Sequence, residues 1–86
     1  MLNFPNPCRS YDATRHCVRF WGHDGALEVS FFIDDDALIQ IGVGTTDRES
    51  SLLQCFDANR GRIMEAARKI YRRRSLGSYE LMASDF

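Results

Sequence analysis

From His16 to Ile33 the chain reads HCVRFWGHDGALEVSFFI, two runs rich in Val, Phe, Trp and Ile separated by Asp24-Gly25. Branched and aromatic residues recurring at alternate positions predict two strands with one covered face. An Asp-Gly pair accommodates the positive φ angles of a tight hairpin turn. Centring that turn on Asp24 and Gly25 sets Phe20 against Val29 and Val18 against Phe31. One face then carries Val18, Phe20, Leu27, Val29, Phe31 and Ile33. The other carries Arg19, Trp21, Glu28, Ser30 and Phe32, with Arg19 and Glu28 as diagonal neighbours. Parity supports this register, because a one-residue slip would send the second strand's apolar set to the wrong side.

Asp34-Asp35-Asp36 follows the second strand, and ALIQIG follows the acids. Aspartates at the start of a helix accept hydrogen bonds from free backbone N–H groups and complement the positive end of its dipole. A short helix stopped at Gly42 is the expectation, with the acids as its cap and not as a cation site, since calcium-loop spacing is missing. VGTTDRESS reads as a polar turn in which Thr46 or Asp47 caps the next helix. From Arg48 to Arg74 the period becomes helical: Leu52, Phe56, Ile63, Ala67 and Ile70 form one stripe, edged by Leu53, Cys55, Met64, Ala66 and Tyr71. Unbroken, that helix would run about 40 Å, long for so small a domain, and Gly61 is the expected place for a bend. Gly77 supplies a stop, and SYELMASDF alternates as a further strand. Pro5 and Pro7 keep residues 1–10 extended, with an edge strand over Leu2 to Phe4 conceivable there.

These elements predict an α+β fold. A β-hairpin and a C-terminal strand build an antiparallel sheet of three or four strands, joined by a short helix and one long amphipathic helix packed on the sheet. With 86 residues, a hydrophobic share of 44% and a charged share of 27%, the chain is expected to form a single domain over residues 1–86. No apolar run reaches the roughly 20 residues that span a bilayer, and the first residues lack a signal peptide's pattern. The expected location is the cytoplasm. Three cysteines, Cys8, Cys17 and Cys55, without short C-x-x-C spacing argue against a disulfide framework. Cys17 and Cys55 fall among apolar residues and read as small buried hydrophobes.

Candidate chemistry is sparse. Cys8, His16, Cys17 and His23 match no zinc spacing, and adjacent strand residues point to opposite faces. The same four residues contain no forced nucleophile–base pair. GVGTTD lacks the lysine and glycine spacing of a phosphate loop. No cofactor or metal is expected, and no enzyme. Between Arg60 and Arg74 stand seven basic residues with Glu65 as the single acid. Arg62, Arg68, Lys69, Arg72 and Arg73 lie on the back and flanks of the long helix, a face able to neutralise phosphates. The bland account of the last arginines is favourable interaction with the negative end of the helix dipole. Asn59 falls inside the apolar stripe and Arg60 beside it, so both need hydrogen-bond partners; Asp12 is one candidate. Trp21 and Phe32, on the less covered sheet face, suit an interface.

The segments NFPNP…RSYDATRHCVRFWGHDGALEVSFFI, FDANRGRIMEAARKIY and GSYELMASDF together resemble the DUF1488 family, small bacterial domains of unknown function. The resemblance covers nearly the whole chain and rests on order and spacing. It is carried by Tyr11-Asp12, the paired strands, the Asn59-Arg60 helix and the Tyr79 strand, and less by the arginine run. It implies a stand-alone cytoplasmic α+β domain and brings no catalytic residue, substrate or cofactor with it. The expected role is a non-catalytic interaction or regulatory module that binds itself or a protein partner. Candidate site residues are Tyr11, Asp12, Trp21, Phe32, Asn59 and Arg60. The alternative is nucleic-acid binding through the basic helix face from Arg62 to Arg74; a membrane partner is not expected.

Overall fold

The computed structural model describes residues 2–5, 8–73 and 78–86, Arg73 without its side chain. In chain order these form β1 (Leu2–Asn3), β2 (Arg9–Asp12), β3 (Cys17–Asp24), β4 (Leu27–Asp34), α1 (Asp35–Ile41), α2 (Glu49–Ala58), α3 (Arg60–Arg73) and β5 (Ser78–Leu81), then a 3-10 turn over Ala83–Asp85. The expected α+β class is what forms. The predicted stop at Gly77, and Arg74 with it, lie outside the described residues.

The hairpin β3–β4 forms two residues out of the expected register. Phe20 lies opposite Phe31, Val18 opposite Ile33 and Asp24 opposite Leu27. The two loop residues are therefore Gly25 and Ala26. Gly25 takes φ 62° at the first central position, where a type II′ turn needs glycine. That releases Asp24 from the turn, and its carboxylate accepts the Tyr71 hydroxyl at 2.6 Å. His23 sits in β3 opposite Glu28, and Arg19 faces Phe32. Because the displacement is even, each side chain keeps its expected face. Val18, Phe20, Phe31 and Ile33 have no exposed surface, whereas Leu27 at the hairpin tip is 62% exposed.

The sheet is larger than expected and mixed. On the far side of β3, β1 and β2 share one edge, with Leu2 opposite Asp24 and Arg9 opposite Phe20. β5 joins the outer side of β4 in parallel, Tyr79 opposite Phe31 and Leu81 opposite Ile33. The parallel sense follows from the helical crossover. α3 returns the chain to the hairpin end, where Tyr71 reaches Asp24, so β5 starts where β4 starts.

Local chemistry sets the helix ends. Asp34 caps α1, its Oδ1 accepting from the Ala37 amide at 2.8 Å, with Asp35 and Asp36 in the first turn. The Gly42 amide closes the other end on the Leu38 carbonyl at 3.0 Å. The cap residue of α2 is Arg48, not Thr46 or Asp47, and its side chain makes no cap bond. Thr46 contributes next door, accepting weakly from the Arg48 amide at 3.4 Å. The long apolar stripe is divided at Asn59, two residues before Gly61. There φ −114° and ψ 20° leave the helix while the Asn59 amide still bonds Cys55 and Phe56 carbonyls. The break lets α2 pack on α1, β2 and β3 while α3 packs on β5.

All three helices contribute to one core on one side of the sheet. Its centre is a row of rings: Phe20 stacks on Phe31 with centroids 5.3 Å apart, and Phe31 on Tyr79 at 5.3 Å. Phe56 of α2 meets Phe20 at 5.1 Å. No helix among the described residues is long and apolar enough to cross a membrane.

Candidate interaction face of the sheet

The register dictates what the other side of the sheet presents. Cys17 lies beside Asp34; Arg19 lies beside Phe32, which lies beside Glu80; Trp21 lies beside Ser30, which lies beside Ser78; His23 lies beside Glu28. Arg19, Trp21, Ser30 and Phe32 are half-buried, and Glu28 and Glu80 are exposed. What covers the rings is guanidinium. The Arg19 carbon Cζ stands 4.9 Å from the Trp21 ring centroid and 5.9 Å from that of Phe32. Arg15 lies over the same Phe32 ring at 4.6 Å. Such cation–π contacts contribute about 0.5–1 kcal/mol each at exposed sites and hide part of the ring from water. Arg19 Nη2 donates to Ser30 Oγ at 3.2 Å, and its buried Nε has no hydrogen-bond partner among the described residues.

Arg15 reaches this face because of Asp12. The Asp12 carboxylate accepts from the amides of Thr14 and Arg15, both at 3.1 Å, closing the turn between β2 and β3. His16 ends the turn at φ 54°, and its carbonyl accepts from the Asp35 amide at 3.0 Å. Between Arg15, Phe32, Glu80 and Met82 lies a hollow of about 300 Å³ with Cys17 in its lining. Burial pushes the Cys17 thiol up from its ordinary pKa, so it stays protonated and unreactive near neutrality.

The other candidate residues do not join Trp21 and Phe32. Tyr11 is on the helix side of β2, opposite Val18, and donates to Asp35 Oδ2 at 2.9 Å. Burial, then the Asp35 carboxylate, raises its pKa to about 12. Asn59 and Arg60 belong to the joint between α2 and α3. Asn59 Nδ2 donates to the Cys55 carbonyl at 3.0 Å. Arg60 pairs with Asp57, not Asp12, at 2.8 Å and lies over the Phe56 ring at 4.9 Å. Arg9 bonds the same carboxylate through Nε at 3.0 Å and Nη2 at 2.9 Å. The Arg9 guanidinium, then Arg60, holds Asp57 below the usual carboxylate range. The joint is thus tied to β2 by a two-arginine clamp.

Along α3, Arg62, Lys69 and Arg72 are exposed. Arg68 is half-buried over Phe4 at 5.4 Å and stands 3.9 Å from Glu65. Arg73 ends the helix, its side chain outside the described residues. Among the described residues no group of three His, Cys, Asp or Glu side chains is placed to hold a metal.

Neither Arg15 as a site residue nor Arg9 as a partner of Asp57 carried a sequence signal. Arg15 acts from a turn, and the Arg9–Asp57 contact spans 48 residues. The Asp57–Arg60 half of the clamp was visible as an i,i+3 pair on a helix.

Comparison with curated proteins and with solved structures returns no match. The family model described as a protein of unknown function, DUF1488, matches residues 2–81, from the first strand through the last, and the chain belongs to that family.

Proposed function

We propose that this is a small bacterial cytoplasmic protein acting as a non-catalytic interaction module, and that it binds through the open face of its sheet around Trp21 and Phe32. The observation carrying this reading is the dressing of those rings. A sheet with helices on one side buries its apolar residues there, and its outer side should be polar. Here the outer side keeps a Trp and a Phe, shielded by the side chains of Arg15 and Arg19. Trp and Arg are the residue types that dominate binding energy at protein interfaces. A half-shielded aromatic patch stays soluble alone and still yields apolar area to a partner.

A catalytic role has weaker support. His16 and His23 stand at opposite ends of β3, roughly 20 Å apart at strand rise, so they cannot act together. Cys17 and Cys55, buried as thiols, suit a reducing compartment.

The test places a photo-crosslinking residue at Glu28, exposed on the open face, and separately at Arg62, on the outside of α3. Protein adducts are expected at Glu28 and should disappear when Trp21→Ala is added. A second reading, nucleic-acid binding by α3, rests on the exposed Arg62, Lys69 and Arg72 with Glu65 as the one acid along that helix. Nucleic-acid adducts at Arg62 with none at Glu28 would favour it and overturn the first. Anisotropy of a mixed oligonucleotide should then fall steeply with salt.

A further inference from the structure

We infer that the partner of the open face is a second copy of this chain, docked sheet to sheet about a two-fold axis running along β4. The inference rests on the interaction reading above and adds the identity of the occupant. Its basis is the order of side chains across the sheet. In one row Arg19 of β3, Phe32 of β4 and Glu80 of β5 stand side by side. A two-fold axis lying between the sheets along β4 leaves each row in place and exchanges the β3 and β5 columns. Each Arg19 then faces the partner's Glu80, and Phe32 meets its own copy on the axis. One row away, Cys17 comes opposite the partner's Met82, which is 52% exposed in the single chain.

Charge selects this axis over the perpendicular one. An axis across the strands would keep the columns and exchange the rows, setting Arg19 against the partner's Trp21 and Glu80 against Ser78, with no ion pair formed. Among the described residues neither Arg19 nor Glu80 forms an ion pair within its own chain, although both point to the same side. They are separated by the β4 column, which is the offset that a rotation about β4 compensates. Arg15 is exposed above Phe32 and carried on a turn, so docking requires only that this one side chain turn aside. Glu28 and Asp34, at the two ends of the β4 column, and Glu80 of β5 repel phosphate and disfavour nucleic acid on this face. Strands about 4.8 Å apart and residues about 3.4 Å apart give a footprint of roughly 400 Å² per copy. That is about half the usual contribution to a stable interface, so the dimer is expected to be reversible, with dissociation in the micromolar range.

Sedimentation velocity of the full chain from about 5 µM to about 1 mM reads the dissociation constant directly, a range that brackets the affinity expected of so small an interface. The native chain should pass from monomer to dimer across that range. Glu80→Arg and Arg19→Glu should each weaken the dimer by about tenfold or more, and the two together should recover most of the loss. Glu80 is exposed, so its variant reports on association without disturbing the core. In a Cys8→Ser background, Phe32→Cys should cross-link two chains on mild oxidation, while Ser78→Cys, off the axis, should not. A monomer at every concentration overturns the inference, as does a double charge exchange without recovery or a faster cross-link at Ser78. If the chain is monomeric yet cross-links other proteins at Glu28, only the identity of the partner falls. If Glu28 captures nothing and the chain is monomeric, the interaction reading falls with it.

Discussion

Phe31 and Phe32 are neighbours in sequence and lie on opposite sides of the sheet, so the same truncation at the two positions separates core from interaction face. Phe31 has no exposed surface and touches three rings: Phe20 at 5.3 Å, Tyr79 at 5.3 Å and Phe4 at 5.7 Å. Phe31→Ala removes that burial and leaves a cavity, a loss of about 3–5 kcal/mol. A domain of this size holds on the order of 4–13 kcal/mol in all, so Phe31→Ala is expected to unfold much of the population. The milder Phe31→Leu keeps the chain folded at a loss of about 1–2 kcal/mol, a fall in Tm of roughly 4–16 °C. Phe32 is half-buried, and its truncation removes a cation–π contact with Arg15 and a limited apolar area. Phe32→Ala should cost about 1 kcal/mol and Phe32→Leu less than about 0.5 kcal/mol. Thermal and urea unfolding followed by far-UV circular dichroism at a few micromolar, where association contributes little, measures all four variants. Equal losses at the two positions would refute the reasoning, because the outer face would then be a second core.

Two further predictions concern pH and glycine. Tyr11, raised to about 12, and Tyr71, raised by its bond to Asp24, hold their protons more tightly folded than unfolded. Their stabilisation is therefore complete below the ordinary tyrosine value of 10.0 and lost as pH rises, for Tyr11 through about 12 and for Tyr71 through its own raised value. Tyr11→Phe should flatten the alkaline fall of the urea midpoint, and an unchanged slope would count against the Tyr11–Asp35 bond. Asp57 titrates the other way: its contribution is complete above the ordinary value of 3.8 and lost as pH falls through its lowered one. Asp57→Asn should remove that acid arm. Gly61 is in α3 with nothing within 4 Å of an added Cβ, so Gly61→Ala should stabilise by about 0.5–1 kcal/mol. A Cβ at Gly42 would collide with Cys55 Sγ and Thr45 Oγ1, so Gly42→Ala should cost about 1–3 kcal/mol. Opposite signs in the same thermal assay are the expected result.

The candidate site was half legible. Trp21 and Phe32 could be placed on the less covered face from alternation alone, since parity survives an even slip in register. Their arginine covering could not. Arg19 was assigned Ser30 opposite and Glu28 on the diagonal; the true register sets it beside Phe32 instead, with Ser30 now the diagonal neighbour that its Nη2 reaches. Arg15 lies in a turn, where no periodicity constrains a side chain. Asn59 stood out as a polar residue inside the apolar stripe, with Arg60 beside it. What they serve is a helix joint, because an asparagine amide bonding the Cys55 carbonyl ends α2 at that point.

Some features depend on near neighbours in the chain, and the sequence by itself determined those. They are the faces of the hairpin, the Asp34 cap and Gly42 stop of α1, and the apolar stripe that runs through α2 and α3. Each follows from the strand or helix period, or from one side chain meeting a nearby backbone group. The tertiary structure alone decided which edges pair. β1 and β2 share one side of β3, β5 lies parallel to β4, and Arg9 crosses to Asp57. Apart from the β2–β3 pairing, those contacts join residues tens of positions apart, and several partners would satisfy the same local pattern. The choice among them is made by burial of the Phe20–Phe31–Tyr79 row, which no local window of sequence contains.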